Sequence, residues 1–124
     1  MKKKETILDR PGAPYAKAVK ANGFLFVSGN VAIDPKTGKV PEGGIKEQTR
    51  QVLENLKATV EDLGSSLEDV VKVNVYLVNV WDFPGMNEVY KEFFGAEPPT
   101  RTTVGIHELA RRDFLIEIDL MAAL

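Results

Sequence analysis

Apolar positions along the chain follow two periods, and the switch from one to the other sets out the elements. Ala16 to Ala21 and Phe24 to Ser28 read as two strands, joined by Asn22-Gly23, a pair that accepts positive φ at both centres of a type I′ turn. Thr6-Ile7-Leu8 starts a short strand ahead of them, and the prolines and glycine within Asp9 to Pro14 break regular structure just before Tyr15. Turn clusters at 34–38 and 41–44 follow. Ile45, Val52, Leu53, Leu56, Val60 and Leu63 then recur at helical spacing, with Lys46, Glu47, Arg50, Glu54, Lys57 and Glu61 elsewhere. That spacing predicts an amphipathic helix of about five turns, ended by Gly64. Ser66 and Asp69 stand at capping-box spacing. Val70 to Val78 is β-branched and alternates, which puts Val71, Val73, Val75 and Leu77 on one face and Lys72, Asn74 and Tyr76 on the other. Asp82 is placed to cap a second helix reaching Phe94, with Pro84 in its first turn, a buried stripe of Met86, Val89, Tyr90 and Phe93, and Gly95 at its end. After the extended Pro98-Pro99, Thr100 to Ile106 and Phe114 to Met121 read as the last strands. In the final one Phe114, Ile116, Ile118 and Leu120 oppose Leu115, Glu117, Asp119 and Met121.

Two helices among four or more strands predict an α+β fold, a single domain over residues 1–124, with both helices on one face of the sheet. The other face then carries Asn74, Tyr76, Leu115, Glu117 and Met121, too apolar for comfortable solvation and too polar for an ordinary core, which predicts a homo-oligomer. A net charge of −2 supplies no basic field for sequence-independent nucleic-acid binding, so nucleic acid is an unlikely partner. With no cysteine, disulfides, thiolate metal sites and a cysteine nucleophile are excluded. Lys2-Lys3-Lys4 is read as a solvated tail because no apolar stretch follows it, and apolar runs fall far short of the roughly 20 residues that cross a bilayer. A cytoplasmic protein with no membrane partner is the expectation.

Little of the residue chemistry points to a known catalytic motif. His107-Glu108 lacks the second histidine of a zincin, since Arg111 stands one turn later, and the only histidine cannot build a multi-histidine metal site. The glycines at 38, 43 and 44 lack a P-loop pattern. Ser28-Gly29 has no nucleophile elbow, but ends a hydrophobic strand with a hydroxyl and an approachable backbone N–H. Arg101, after the rigid Pro98-Pro99, is either a bidentate carboxylate anchor or an ion-paired surface residue. Glu117, on a mostly apolar strand, is either a shielded carboxylate with a raised pKa or a partner for a lysine or arginine.

Seven ordered segments resemble the RidA/YjgF family of reactive-intermediate deaminases: Ala13 to Val19, Phe26-Val27-Ser28-Gly29, Asp34 to Gly38, Gln48 to Leu56, Asp82-Phe83 with Met86 to Tyr90 and Phe93-Phe94, Pro99 to Val104, and Ile116-Glu117-Ile118. The resemblance implies a chorismate-mutase-like α+β fold, a homotrimer with ligand sites between subunits, and hydrolysis of 2-imino acids to 2-oxo acids and ammonia with no metal or organic cofactor. It further implies that Arg101 grips the substrate carboxylate and that Tyr15, Ser28, Asn87 and Glu117 complete the pocket, with Gly29 offering backbone contacts; in such a site Glu117 is expected to orient or deprotonate the attacking water and Thr103 to contribute through its backbone and hydroxyl. Thr103 stands where the family commonly has cysteine, and the loop at Arg111-Arg112-Asp113 differs in length from common relatives. A non-catalytic protein binding small carboxylates such as 2-oxo acids is the first alternative, and an endoribonuclease or translation inhibitor the second.

Overall fold

Asn22 and Gly23 adopt φ values of 53° and 83°, so the predicted turn closes a hairpin between β2 (Ala18–Ala21) and β3 (Phe24–Val31). The computed structural model describes residues 2–124. It adds β1 (Lys4–Ile7), β4 (Val70–Leu77), β5 (Thr100–Gly105) and β6 (Ile116–Ala123), in the sheet order β1-β2-β3-β6-β4-β5. Every pairing is antiparallel except β4 with β5, whose parallel register needs a crossover, and α2 (Phe83–Phe94) supplies it. The other helix is α1 (Ile45–Asp62), and Gly64 beyond it has a φ of 93°.

Alternation decides which face meets the helices. Val52, Leu53, Leu56 and Val60 of α1, with Met86, Tyr90 and Phe94 of α2, pack on Leu25, Val27, Val73, Val75, Leu77, Ile116, Ile118 and Leu120. The mixed α+β sheet with two helices on one face is therefore the architecture expected from the periodicities. Among the described residues no helix is long and apolar enough to cross a membrane.

Several local expectations are corrected. Val71 is 41% exposed while Val70 is buried, because the β4–β6 register shifts between Val70 and Lys72. A bulge there turns the first valine inward and the second out. Asp82 holds the cap position of α2 without a side-chain capping bond; it ends a 3₁₀ turn, Val80–Asp82, at whose start Asn79 Oδ1 accepts from the Trp81 N–H at 3.0 Å. In the α2 stripe Phe94 is buried and Phe93 only partly so. The Ser66 hydroxyl meets the Asp69 carboxylate at 3.0 Å, with no backbone cap. Lys4 is not part of a loose tail: it pairs with Ala21 in β1.

Two polar residues of α1 tie down the segments that present the site. Gln48, buried, donates from Nε2 to the Asp113 carbonyl at 2.7 Å and accepts from the Leu115 N–H at 2.9 Å. This fixes the loop that leads into β6 and Glu117. Asn55 donates from Nδ2 to the Ile33 carbonyl at 2.9 Å, holding the exit of β3. Such bonds satisfy backbone groups that would otherwise be buried without partners. The helix-to-helix ion pairs, Lys46 with Glu88 and Arg50 with Glu92 at 3.0 Å, are exposed and contribute little.

Candidate functional site

Strand β5 runs parallel to β4 with Arg101 beside Val73, Thr103 beside Val75 and Gly105 beside Leu77. Arg101 and Thr103 therefore point to the helix face. There the Arg101 guanidinium stacks over the Tyr90 ring at 4.6 Å from its centroid and over Phe83 at 5.4 Å, and its Nη1 lies 3.9 Å from Met86 Sδ. Phe83, Met86 and Tyr90 follow one another on a single stripe of α2, so one helix face forms the cradle. Among the described residues no carboxylate pairs with Arg101. Held by aromatic faces and a sulfur, the planar fork keeps its donors for another group.

Two buried hydroxyls on this side, Tyr90 Oη and Thr103 Oγ1, have no hydrogen-bond partner among the described residues. Burial pushes the Tyr90 phenol up to about 12, against a smaller opposing pull from Arg101, so it stays protonated at neutral pH. Tyr90→Phe keeps the ring and deletes an unpartnered hydroxyl. Its urea midpoint is expected to hold or to rise by the equivalent of at most ~1 kcal/mol, whereas a clear fall reveals a partner for that hydroxyl.

The second group of residues lies around β3. Its strand does not end at Ser28, as the sequence suggested, but continues to Val31 through an irregularity: Val27 pairs with Leu120 and Asn30 with Ile118, so Ser28 and Gly29 together oppose Asp119. That two-against-one count is a β-bulge. Ser28 donates from Oγ to the Ala16 carbonyl at 2.6 Å, and its N–H donates to the Lys17 carbonyl at 3.1 Å, which draws the segment carrying Tyr15 onto the bulge. Tyr15, Ser28, Gly29 and Asp119 line one open cleft of ≈660 Å³, with Tyr15 itself 64% exposed.

Glu117 comes to the same place from β6. A Cβ built on Gly29 would stand 2.8 Å from Glu117 Cδ, so the carboxylate occupies space that only glycine leaves open. Burial, and then the charge of Asp119, push the Glu117 carboxyl above its ordinary value. Beside it Asp119 accepts from Asn74 Nδ2 at 2.8 Å and from the Tyr76 hydroxyl at 2.9 Å.

Seven residues were expected in one pocket, and within a single chain they are not brought together. Tyr15, Ser28, Gly29 and Glu117 share the open face around the bulge. Arg101 and Thr103 lie on the helix face of the edge strand. Since β4 stands between β6 and β5, about 10 Å of sheet separates the two groups. Asn87 follows Met86 on α2 and lines a separate shallow cleft with Lys46 and Glu88. Sequence reasoning missed Phe83, Met86 and Tyr90 as the seat of Arg101, although their helical spacing was visible. It also missed Asp119 with its two donors, for which the alternation with Glu117 on β6 was the available signal.

Residues 7–124 match the family described as endoribonuclease L-PSP. A RutC family protein of Pyrococcus horikoshii is 53% identical over 113 residues, covering 91% of this chain and 89% of that one. A protein of Dermatophagoides farinae named 2-iminobutanoate/2-iminopropanoate deaminase is 39% identical over 102 residues, covering 82% of this chain and 80% of its own. The crystal structure of RidA from an Antarctic Psychrobacter superposes with a TM-score of 0.87 at 35% identity, covering 97% of this chain and 99% of the other. Matched along nearly its whole length in sequence and in fold, the chain belongs to the endoribonuclease L-PSP family, which is the RidA/YjgF family.

Proposed function

We propose that this protein hydrolyses small 2-imino acids to 2-oxo acids and ammonia, in sites shared between the copies of a homotrimer. The observation that carries the reading is the Arg101 guanidinium, stacked on Tyr90 and Phe83 with no carboxylate of its own among the described residues. A planar fork with free donors suits bidentate capture of a substrate carboxylate. The relative named as an imine deaminase supports the same assignment.

In the reaction, water adds its oxygen to the C=N carbon while the imine nitrogen takes up a proton, giving a tetrahedral carbinolamine. Glu117 carries the proton lost by the attacking water to the imine nitrogen, and as the C–N bond breaks it carries the carbinolamine hydroxyl proton to the departing nitrogen, so ammonia leaves and the 2-oxo acid remains. Tyr15, Ser28 and Gly29 shape the wall beside Glu117, and Thr103 lies two residues from Arg101 on the same face of β5, while Asn87, which lines a separate cleft of α2, takes no part in this site of the chain. Water is the only co-reactant, so the chemistry calls for no metal or organic cofactor. Because small imines already hydrolyse in water, most of the acceleration comes from positioning.

Arg101 and Glu117 lie on opposite faces two strands apart, so the mechanism needs them from different copies. The open sheet face fits that requirement: Phe24, Phe26, Val71 and Val104 are exposed there around the polar residues. The RNA-cleaving reading that the family's description raises is not favoured by a chain of net charge −2. The test is 2-oxo acid and ammonia release from an imine generated in situ by an amino-acid oxidase. Release faster than in buffer is expected. Saturable binding of a 2-oxo acid with imine decay at the buffer rate overturns catalysis and leaves a carboxylate-binding protein.

A further inference from the structure

Two carboxylates sit side by side on the open face of β6, and their surroundings differ. Glu117 stands opposite Tyr76 of β4 and Val31 of β3, and Asp119 stands opposite Asn74. Tyr76 does not use its hydroxyl on the residue it faces: it reaches along the strand to Asp119 Oδ2 at 2.9 Å, while Asn74 Nδ2 holds Oδ1 at 2.8 Å. Both oxygens of Asp119 are thereby fixed by neutral donors. The phenol itself is pushed above its ordinary value, chiefly by its bond to Asp119, so it remains a donor across the working range of pH. Among the described residues Glu117 accepts no such bonds, and its carboxylate rests against Gly29.

We propose that Asp119, clamped by Asn74 and Tyr76, is a positioning residue that keeps a fixed negative charge beside Glu117 and so sets the proton inventory of the site. The inference rests on the deaminase reading for its consequence in catalysis. Its physical basis is separate: two like charges two residues apart on one strand face oppose ionisation of whichever is less well solvated by hydrogen bonds. Burial first, and then the charge of Asp119, push the Glu117 carboxyl above its ordinary value, the direction that geometry requires. A carboxyl displaced this way holds a proton closer to neutrality, where collapse of the carbinolamine needs a donor.

The groups facing Glu117 are few. On β6 the charged neighbour is Asp119, and on β4 the titratable neighbour is Tyr76, a neutral phenol, with Lys72 farther along opposite Met121. From β3, Ser28, Gly29, Asn30 and Val31 offer no titratable group, and Lys4 of β1 reaches the cleft that Asp119 lines. Within one chain no cation among these residues is placed to cancel Asp119 at Glu117, and the cation that the shared site would add, Arg101 of the next copy, is the one that holds the substrate carboxylate.

The experiment follows the Glu117 carboxyl by ¹³C NMR titration, together with the pH dependence of kcat/KM, in wild type, Asp119→Asn, Asp119→Ser and Asp119→Glu. Deleting the charge should move the Glu117 titration, and the pH limb assigned to it, to lower pH in both the Asn and Ser variants. Two neutral replacements are used so that a folding defect in one does not remove the test, and Asp119→Glu should restore the wild-type direction. A Glu117 titration that is the same in wild type and in a folded neutral variant overturns the inference. If Glu117 moves as expected in a protein that hydrolyses no imine, the coupling stands and the deaminase reading alone is lost.

Discussion

Arg101→Ala is expected to lower kcat/KM for 2-imino acids by about 30-fold to several thousand-fold, since truncating one side of a desolvated charged pair costs about 2–5 kcal/mol. The loss should fall on substrates that carry a carboxylate. A neutral alkyl imine offers nothing for the guanidinium to hold, so wild type and variant should hydrolyse it alike. Arg101→Lys separates charge from shape: the ammonium keeps the charge but lacks the planar fork and does not stack flat on Tyr90 and Phe83. It should recover only part of the rate. The fold is expected to survive both changes, because Arg101 lies on an edge strand outside the apolar core. Equal activity of wild type and Arg101→Ala on a carboxylated imine would remove this residue from the mechanism.

What the sequence announced and what it concealed divide by the range of the interaction. The α1 helix, the Asn22-Gly23 turn and the inward face of β6 are written in local periods and turn residues, and these reappear within a residue or two of where the periods put them. The two bulges were not legible. At Val70–Val71 an alternating valine run looks continuous, and only its pairing with β6 shows where the register slips. At Ser28–Gly29 the apolar run thins out and reads as a strand end, whereas the backbone continues because β6 still pairs with it.

The candidate site was legible as a set of residues and illegible as a place. Motif order along the chain says nothing about which face of a sheet each residue meets. Arg101 faces the helices because β5 pairs in parallel with Val73 of β4, and Glu117 faces away because Ile116 and Ile118 fill the core on either side of it. Parity within β6 was readable from alternation. Parity within β5, whose neighbours are all threonine, valine or glycine, had no apolar pattern to read.

Subunit mixing tests the split site directly. Arg101→Ala and Glu117→Gln are each expected to be strongly impaired alone, the second by about 10²-fold or more if Glu117 carries both proton transfers. In a closed ring whose sites take Arg101 from one copy and Glu117 from the next, equal mixing with full exchange leaves both residues intact at about one site in four. A 1:1 mixture, unfolded and refolded together, should therefore recover about a quarter of wild-type activity, while separately refolded proteins combined without exchange stay inactive. A site assembled within one chain predicts no recovery, because no copy then holds both residues. A recovered fraction near a quarter, with Michaelis constants unchanged from wild type, also requires that the Tyr90–Phe83 cradle of one copy and the Ser28–Gly29 bulge of its neighbour survive unaltered. The mixture thus reads the geometry of both half-sites at once.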